Sequence, residues 1–224
     1  MKRVLVTGAT GFVGRHTLSN LIGRGFEVFA VSSRPETEQI DGVQWLRADL
    51  LNADRAESVV AETRPSHLLH LAWHPSVPGK FWNAPENFSW VQASIDLLDA
   101  FVRHGGRRVV SAGTCAEYDW NYGLCVENRT PLNPRTPYGV CKHGLQAWQS
   151  ALCEQAGVSS AWGRPFLMYG PFEHPGRLVA SVINALLTGR PALCSAGTQI
   201  RDLMHIQDVA DAFAALLDCD VDGR

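Results

Sequence analysis

Residues 3–14 read RVLVTGATGFVG, an apolar run that leads directly into three glycines spaced as TGxxGxxG. The apolar run, Arg3–Thr7, predicts a buried β-strand. The residues after the glycines place Val13, Thr17 and Leu21 on one face, which predicts an α-helix. A glycine-spaced turn between a strand and a helix is the typical start of a βαβ unit.

Each glycine of this turn has a specific task in that arrangement. Gly8 permits the tight turn, Gly11 lets a pyrophosphate approach the backbone, and Gly14 allows the helix to pack closely on the strand. The helix N-terminus adds free N–H groups and a partial positive charge. The stretch therefore predicts a dinucleotide-binding site.

Strands and helices alternate along the remaining chain. Further strands are predicted at Phe26–Ser32, Val43–Ala48, His67–Trp73, Arg108–Ala112 and near Ser160–Phe166. Further helices are predicted at about Asp54–Thr63, Glu86–His104, Tyr138–Ala156 and Gln207–Asp218, with a long loop at Asp119–Pro137 and a turn at Gly170–Gly176. Strands separated by helices imply a parallel sheet. We expect one α/β domain over residues 1–224, a Rossmann-type doubly wound sheet with helices on both faces.

The composition excludes several classes of protein. The 224 residues carry 20 Lys+Arg against 22 Asp+Glu, a net charge of −2, so nucleic acid or an acidic membrane surface is not an expected partner. We see no secretory signal, and no apolar run approaches the ~18 residues of a spanning helix. The six cysteines form no CxxC pair, so we expect reduced thiols, a cytoplasmic protein and no metal site.

The end of the second strand indicates which dinucleotide binds. Sites for NAD place an Asp or Glu there, against the ribose 2′-hydroxyl. This chain has Ser32, Ser33 and Arg34 instead. An arginine without a competing carboxylate fits a 2′-phosphate, so we expect NADP in preference to NAD. The alternative is that Arg34 is a solvated surface charge.

Tyr138 and Lys142 lie four residues apart in a predicted helix. Thr136 is the expected N-cap and Pro137 the first helical residue. A free phenol has a pKa near ~10 and is a poor acid–base catalyst at neutral pH. A nearby ammonium and a helix N-terminus both favour phenolate, so we expect the pKa of Tyr138 to be lowered.

These motifs resemble the extended short-chain dehydrogenase/reductases, in the NAD(P)-dependent nucleotide-sugar epimerase/dehydratase branch. The resemblance extends over the whole chain. The resemblance rests on the following motifs of this chain: TGxxGxxG, YGVCK at 138–142, Asp49-Leu50, Leu71-Ala72-Trp73, Thr114, Arg164-Pro165-Phe166, Tyr169-Gly170-Pro171 and the RDLMHIQDVA stretch at 201–210.

By that resemblance Tyr138 is the general acid/base, Lys142 holds the nicotinamide ribose and Thr114 bonds the reacting oxygen, with Arg201 on the substrate diphosphate. The expected cofactor-binding residues are Gly8, Thr10, Gly11, Phe12, Val13, Gly14, Ser32, Ser33, Arg34, Asp49, Leu50, Leu71, Ala72, Trp73, Tyr138, Lys142, Pro165 and Phe166. The implied reaction is hydride transfer at a carbonyl or hydroxyl of a sugar, with 4-ketoreductase and 4-epimerase left open.

The chain departs from the resembled family at the substrate site. Cys115-Ala116 occupies the positions where 4,6-dehydratases carry Asp-Glu, which disfavours dehydration. Leu167 and Trp90 stand where relatives often have Asn. Tryptophans (Trp73, Trp82, Trp90, Trp120) could form an apolar pocket for a deoxysugar or for a substrate that is not a nucleotide sugar; core or dimer packing is the alternative. We also expect Glu117 near the pocket.

Relatives normally continue with a C-terminal segment that closes the substrate site. We therefore expect residues 165–224 to begin the substrate-binding part, left incomplete in this chain. Relatives often dimerise through the tyrosine-bearing helix and the helix before the fifth strand, so a homodimer is expected. The alternative to an enzyme is a non-catalytic NADP-binding sensor or scaffold of the same fold.

Overall fold

Six parallel strands form the central sheet. The computed structural model describes residues 2–34, 39–74 and 79–221. The strands are β1 (Lys2–Thr7), β2 (Phe26–Ser32), β3 (Val43–Arg47), β4 (His67–His70), β5 (Arg108–Ala112) and β6 (Ser159–Gly163). Their order is β3-β2-β1-β4-β5-β6, with every neighbouring pair parallel. This is the doubly wound order of a Rossmann fold, and it confirms the predicted fold class.

Helices cover both faces of the sheet. They are α1 (Gly14–Gly23), α2 (Ala53–Thr63), α3 (Glu86–Arg103), α4 (Pro137–Ala156), α5 (Leu178–Leu187) and α6 (Ile206–Asp218). Leu97 and Phe101 of α3 are fully buried in one core, and Leu18 of α1 packs with Phe213 of α6 in the other. In the described part of the chain, none of the helices is both long and apolar enough to cross a membrane.

A second, two-stranded sheet was not predicted. Strands β7 (Leu167–Tyr169) and β8 (Leu203–His205) form a parallel pair, and α5 lies between them in the chain. We call residues 167–205 the outer lobe and the remaining elements the sheet body. Three-residue strands carry too little periodicity to be recognised in a sequence, which is why the outer lobe was missed.

The predicted strands are at the right places, but three of their ends were wrong. β3 ends at Arg47, and β4 ends at His70, three residues before the predicted end. β6 ends at Gly163, so residues 164–166 leave the sheet before β7 begins. Ala48 and residues 71–73 line the cleft beyond the strand ends, and an apolar run alone does not distinguish that position from a strand.

The predicted loop at Asp119–Pro137 contains some regular structure. A 3-10 helix spans Trp120–Tyr122, and Tyr118 pairs with Leu132 in an antiparallel bridge. Two other 3-10 helices, Phe81–Asn83 and Cys115–Glu117, lie beside the site described below.

The amino-terminal edge of the sheet holds the end of α6. The guanidinium of Arg108, the first residue of β5, donates to the carbonyl oxygens of Leu216 (Nε, 3.1 Å) and Val221 (Nη2, 2.8 Å). Lys2 Nζ lies 2.6 Å from the Asp218 carboxylate. The last described residues are therefore fixed at the edge opposite the carboxyl ends of the strands.

Candidate active site

A cleft of about 640 Å³ opens at the carboxyl edge of the sheet. It contains most of the residues predicted to bind a dinucleotide, which come from four separate strand ends and from α4. They are Gly8, Thr10, Gly11, Phe12, Ser32, Ser33, Arg34, Asp49, Leu50, Leu71, Ala72, Trp73 and Tyr138. The crevice beyond the carboxyl ends of the strands, where the strand order reverses, is the usual ligand site of such sheets.

The glycine turn is packed too closely for side chains. Gly8 has φ +67°, and a Cβ there would lie 2.7 Å from the backbone nitrogen of Ala72. A Cβ on Gly14 would overlap the carbonyl of Gly8, and a Cβ on Gly11 would lie 2.9 Å from that oxygen. No side chain of the described residues caps α1, whose N-cap is Val13, and its first turn carries no acidic residue, so the partial positive charge of this helix end is not neutralised.

The serines and arginine after β2 lie at the far end of the cleft. Ser32 is buried, and its Oγ accepts a hydrogen bond of 3.0 Å from the backbone nitrogen of Arg34. Arg34 is exposed at the cleft wall. Asp49 uses its Oδ1 to accept from the backbone of Leu51 (3.1 Å). Arg34 is thus the cation placed to meet an anionic group at this end.

Tyr138 lies inside an aromatic cage. Its ring is 5.0 Å from Phe81, 5.6 Å from Trp82 and 6.2 Å from Trp73, centroid to centroid. Burial raises the pKa of Tyr138 to about 12, while a hydrogen bond with Thr114 acts in the lowering direction. The expectation of a lowered phenol pKa was therefore wrong, because burial by aromatic rings outweighs the effects that the local sequence suggested.

Lys142 follows one turn along α4, whose N-terminus is capped by Thr136 as predicted. Its Nζ donates to the carbonyl oxygen of Ala112 (2.8 Å) and lies 3.8 Å from the centre of the Trp73 ring. Burial lowers the pKa of Lys142 to about 7, and the charge of Glu117 acts in the opposite direction. The ammonium is thus held between a carbonyl and an aromatic face.

Thr114 is the N-cap of the 3-10 helix Cys115–Glu117. Its Oγ1 accepts from the backbone nitrogen of Ala116 (3.2 Å), and the residue is buried. Burial raises the pKa of the neighbouring Cys115 thiol to about 11. Glu117, expected near the pocket, is instead fully buried against Arg164 (2.7 Å).

A second cavity of about 610 Å³ borders the aromatic cage at Trp82. Its wall is mainly aromatic and aliphatic, with Cys115 at one side and two arginines among the lining residues. These residues include Trp82, Trp120, Leu124, Phe166, Leu167, Arg135 and Arg201. Two predicted residues, Phe166 and Arg201, therefore lie at this cavity, and Phe166 packs 5.9 Å from Trp120. Pro165 accepts a backbone hydrogen bond from Cys115 (3.2 Å).

The tryptophans of the sequence divide between the two spaces. Trp73 and Trp90 line the first cleft, 6.4 Å apart. Trp82 and Trp120 line the second cavity. The four tryptophans predicted to form one pocket thus line two separate spaces.

His174 and Arg177 line the first cleft and were missed in the sequence. They come from the turn before α5. The only available signal was a histidine and an arginine three residues apart beside Pro175 and Gly176, which does not locate the turn in space.

His70, the last residue of β4, is buried and held by two hydrogen bonds. It bonds to the Thr7 hydroxyl (2.7 Å) and the Ser94 hydroxyl (2.9 Å), and burial lowers its pKa to about 3. Among the described residues, no group of three or more His, Cys, Asp or Glu could hold a metal ion.

The fold and the tyrosine–lysine pair at the strand ends define a Rossmann dinucleotide-binding protein of the short-chain dehydrogenase/reductase type. A family model for the NAD dependent epimerase/dehydratase family matches residues 4–224, and the chain belongs to that family. By family it is an enzyme of the extended short-chain dehydrogenase/reductase group, as the motifs predicted.

Named relatives support this placement. The chain is 27% identical over 230 residues to a dTDP-glucose 4,6-dehydratase of Mycobacterium tuberculosis, covering 96% of this chain and 69% of the relative. It is 28% identical to a UDP-glucose 4-epimerase of Mycolicibacterium smegmatis, covering 94% and 72%.

Solved structures give the same result. The Thermus thermophilus UDP-glucose 4-epimerase in complex with NAD has a TM-score of 0.86 and 28% identity, covering 99% of this chain and 76% of that one. MoeE5 in complex with UDP-glucose and NAD has a TM-score of 0.81 and 32% identity, covering 99% and 74%.

Proposed function

We propose that this protein is an NAD(P)-dependent oxidoreductase or epimerase that acts on a carbonyl or hydroxyl of a nucleotide-activated sugar. The observation that carries the proposal is the position of Tyr138. Its ring lines the first cleft, and Trp82, which contacts that ring, lines the second cavity. We place the dinucleotide in the first space, where it would meet the phenol, and the sugar in the second, whose wall shares Trp82 with the cage around that phenol.

The first cleft fits a nicotinamide dinucleotide. The glycine turn leads into α1, whose positive end carries no acidic residue and so favours a pyrophosphate, and the volume suits a ligand of that size. The residues proposed to hold it are the predicted ones that line this cleft, with His174 and Arg177 added from the structure. When bound, the nicotinamide supplies or accepts the hydride.

The remaining steps belong to this chain's own side chains. Tyr138 Oη donates a proton to the sugar oxygen during reduction and takes one during oxidation. Thr114, hydrogen bonded to that phenol, orients the same oxygen. The hydrogen bond with Thr114 and the charge of Arg177 act to lower the pKa of Tyr138, which offsets part of the effect of burial. Lys142 would hold the nicotinamide ribose, as the family resemblance implies.

Dehydration is disfavoured among the reactions of the family. Cys115 and Ala116 stand where a dehydratase needs an acid and a base, and burial keeps the Cys115 thiol neutral. Ketoreductase and epimerase activity both remain candidates. The two differ in whether a keto sugar leaves the site or is formed and reduced again in place. The aromatic wall of the second cavity favours a sugar with an apolar edge, such as a deoxysugar.

Replacement of Tyr138 tests the catalytic proposal. We expect Tyr138→Phe to reduce turnover about 10²- to 10⁴-fold, because the general acid is lost, with little change in cofactor affinity. Turnover is measured with nucleotide-linked 4-keto hexoses plus NADPH or NADH, and as epimerisation of UDP-glucose. The control is Tyr122→Phe, an exposed tyrosine. Unchanged turnover in Tyr138→Phe contradicts the general acid/base role of Tyr138. If the wild type binds the cofactor but turns over none of these sugars, the sensor or scaffold alternative is favoured.

The preference for NADP is a proposal resting on Arg34. The solved relatives described above hold NAD, but in this chain the exposed guanidinium lines the cleft beside Ser32 and Ser33. We expect NADPH to bind more tightly than NADH, and Arg34→Ala to weaken NADPH about tenfold, the effect of one charge-assisted hydrogen bond. Fluorescence titration measures both affinities. Arg107→Ala, at the opposite edge of the sheet, is the control, and tighter binding of NADH would contradict the preference.

Three further expectations stay proposals. The outer lobe and α6 would begin the substrate-binding part, consistent with Arg201 at the second cavity. A homodimer would form through α3 and α4, where Phe88 and Val140 are exposed. The free thiols of Cys115 and Cys141 fit a reducing cytoplasm.

A further inference from the structure

Glu117 is a buried carboxylate beside the proposed catalytic groups. Its side chain is fully buried, and its oxygens accept hydrogen bonds from the backbone nitrogen of Thr114 (2.9 Å), Trp162 Nε1 (3.0 Å) and Arg164 Nε (2.7 Å). The Arg164 side chain is only 8% exposed. A buried ion pair of this kind is weak evidence for stability, because desolvation offsets the attraction between the charges. Stability alone therefore does not account for this ion pair.

The carboxylate joins two segments that both lead into the site. One leaves β5 through Gly113 and Thr114, and the other leaves β6 toward Pro165. The two segments also share backbone hydrogen bonds, from Gly113 to Gly163 (2.7 Å) and from Cys115 to Pro165 (3.2 Å). Glu117 adds the side-chain connection between them.

Gly113 makes this approach possible. A Cβ at Gly113 would lie 2.5 Å from Glu117 Oε1 and would overlap the indole nitrogen of Trp162. The backbone before Thr114 is thus pressed against the Glu117–Trp162 hydrogen bond, so the position of Thr114 depends on the carboxylate.

The Thr114 hydroxyl is restrained by the same turn. Thr114 caps the turn that ends in Glu117, with its Oγ1 bonded to Ala116 and its backbone nitrogen bonded to the carboxylate. These two bonds restrain both the backbone nitrogen and the hydroxyl of Thr114, and the same hydroxyl hydrogen bonds with Tyr138. A displacement of about 1 Å in such a group can cost about 10²-fold in rate.

We propose that Glu117 is a positioning residue, whose buried carboxylate holds the Thr114 hydroxyl against Tyr138 by joining the Thr114 backbone to Trp162 and Arg164. This inference rests on the proposed function, because it assigns Glu117 a part in the same reaction. In support, the Glu117 charge also raises the pKa of both Tyr138 and Lys142, so the electrostatic effect of the carboxylate reaches both groups.

Two double variants separate the hydrogen bonds from the buried charges. Glu117→Gln/Arg164→Met keeps an acceptor oxygen for Thr114 and Trp162 but removes both charges. Glu117→Leu/Arg164→Met removes the acceptor as well. Since neither variant leaves an unpaired buried charge, both should fold, which melting temperature and NADPH titration verify.

The expected result is a difference in kcat between the two variants. We expect the Gln variant to keep kcat within about threefold of the wild type and the Leu variant to lose about 10²-fold, with similar KM for the cofactor. A purely structural role would lower the melting temperature of both variants without this split. Equal kcat in the two folded variants overturns the proposal.

A second measurement keeps the test independent of turnover. Hydrogen exchange of the Thr114 amide, followed by NMR, should accelerate about 10-fold or more in the Leu variant only, because its acceptor is gone. Unchanged exchange in the Leu variant overturns the inference even where turnover differs. If the wild type converts none of the sugars, the proposed function fails, and the exchange result still decides whether Glu117 holds Thr114.

Discussion

The sheet body and the outer lobe differ in how they use apolar residues. In the sheet body Leu5, Leu68 and Leu97 are fully buried between the sheet and its helices. In the outer lobe the ten described residues of α5, LVASVINALL, include none that is buried, and Leu187 is 80% exposed. An apolar helix without a core contributes little to folding, so the sheet body should carry the stability of the described chain.

The largest expected effect is that of a single methyl group at the glycine turn. Gly14→Ala would place a Cβ 2.8 Å from the Cα of Ala9 and against the Gly8 carbonyl, where backbone cannot yield. We expect a loss of about 3 kcal/mol or more in unfolding free energy and no measurable NADPH binding. Thermal unfolding and fluorescence titration measure these two effects.

The matched control is Gly144→Ala, at an exposed position within α4. A Cβ there meets nothing within 4 Å among the described residues. We expect a gain of about 0.5–1 kcal/mol, since alanine favours a helix interior over glycine. If Gly14→Ala behaved like this control, the close packing of the glycine turn would be disproved.

Truncation of leucines compares the two regions directly. Leu97→Ala in α3 should cost about 2–5 kcal/mol, because it leaves a cavity in the sheet-body core. Leu187→Ala in α5 should stay within about 0.5 kcal/mol. Urea denaturation measures both, and a similar cost for the two variants would show that the outer lobe shares the main core.

The last prediction concerns the loss of stability in acid, which is absent at neutral pH. His70 has its pKa lowered from 6.5 to about 3, mainly by burial, so the unfolded chain binds the proton more readily. Stability should therefore be highest above about pH 6.5 and fall as the pH drops toward 3. His70→Asn should flatten this slope, measured by urea denaturation at several pH values.

Ser94→Ala provides the control for the acid prediction. It removes a hydrogen bond to the same ring while keeping the imidazole. It should lower stability at every pH with the slope retained. A slope that survives in His70→Asn would assign the acid sensitivity to another group.

The sequence predicted the sheet body well because its signals are local. The turn after β1, the apolar strands and the capped helix with Thr136 and Pro137 all depend on residues within about a dozen positions. The same holds for the cleft residues Gly8, Arg34 and Asp49, which follow directly from the strand ends.

The features that the sequence analysis missed or predicted wrongly depend on contacts between distant segments. The pKa of Tyr138 is set by rings at positions 73, 81 and 82, and Glu117 meets Arg164 across 47 residues. The outer lobe was missed because its short strands and exposed helix lack the pattern of burial that makes an element recognisable.

The anchoring of the chain by Arg108 has a practical consequence for binding assays. Because that guanidinium holds Val221 at the amino-terminal edge of the sheet, an affinity tag attached after this residue leaves from the side opposite the cleft. Protein captured on a sensor surface through such a tag would present the glycine turn and Tyr138 to the solution. Affinities measured on that surface should equal those in free solution, whereas attachment through surface lysines such as Lys80, next to the aromatic cage, should reduce them.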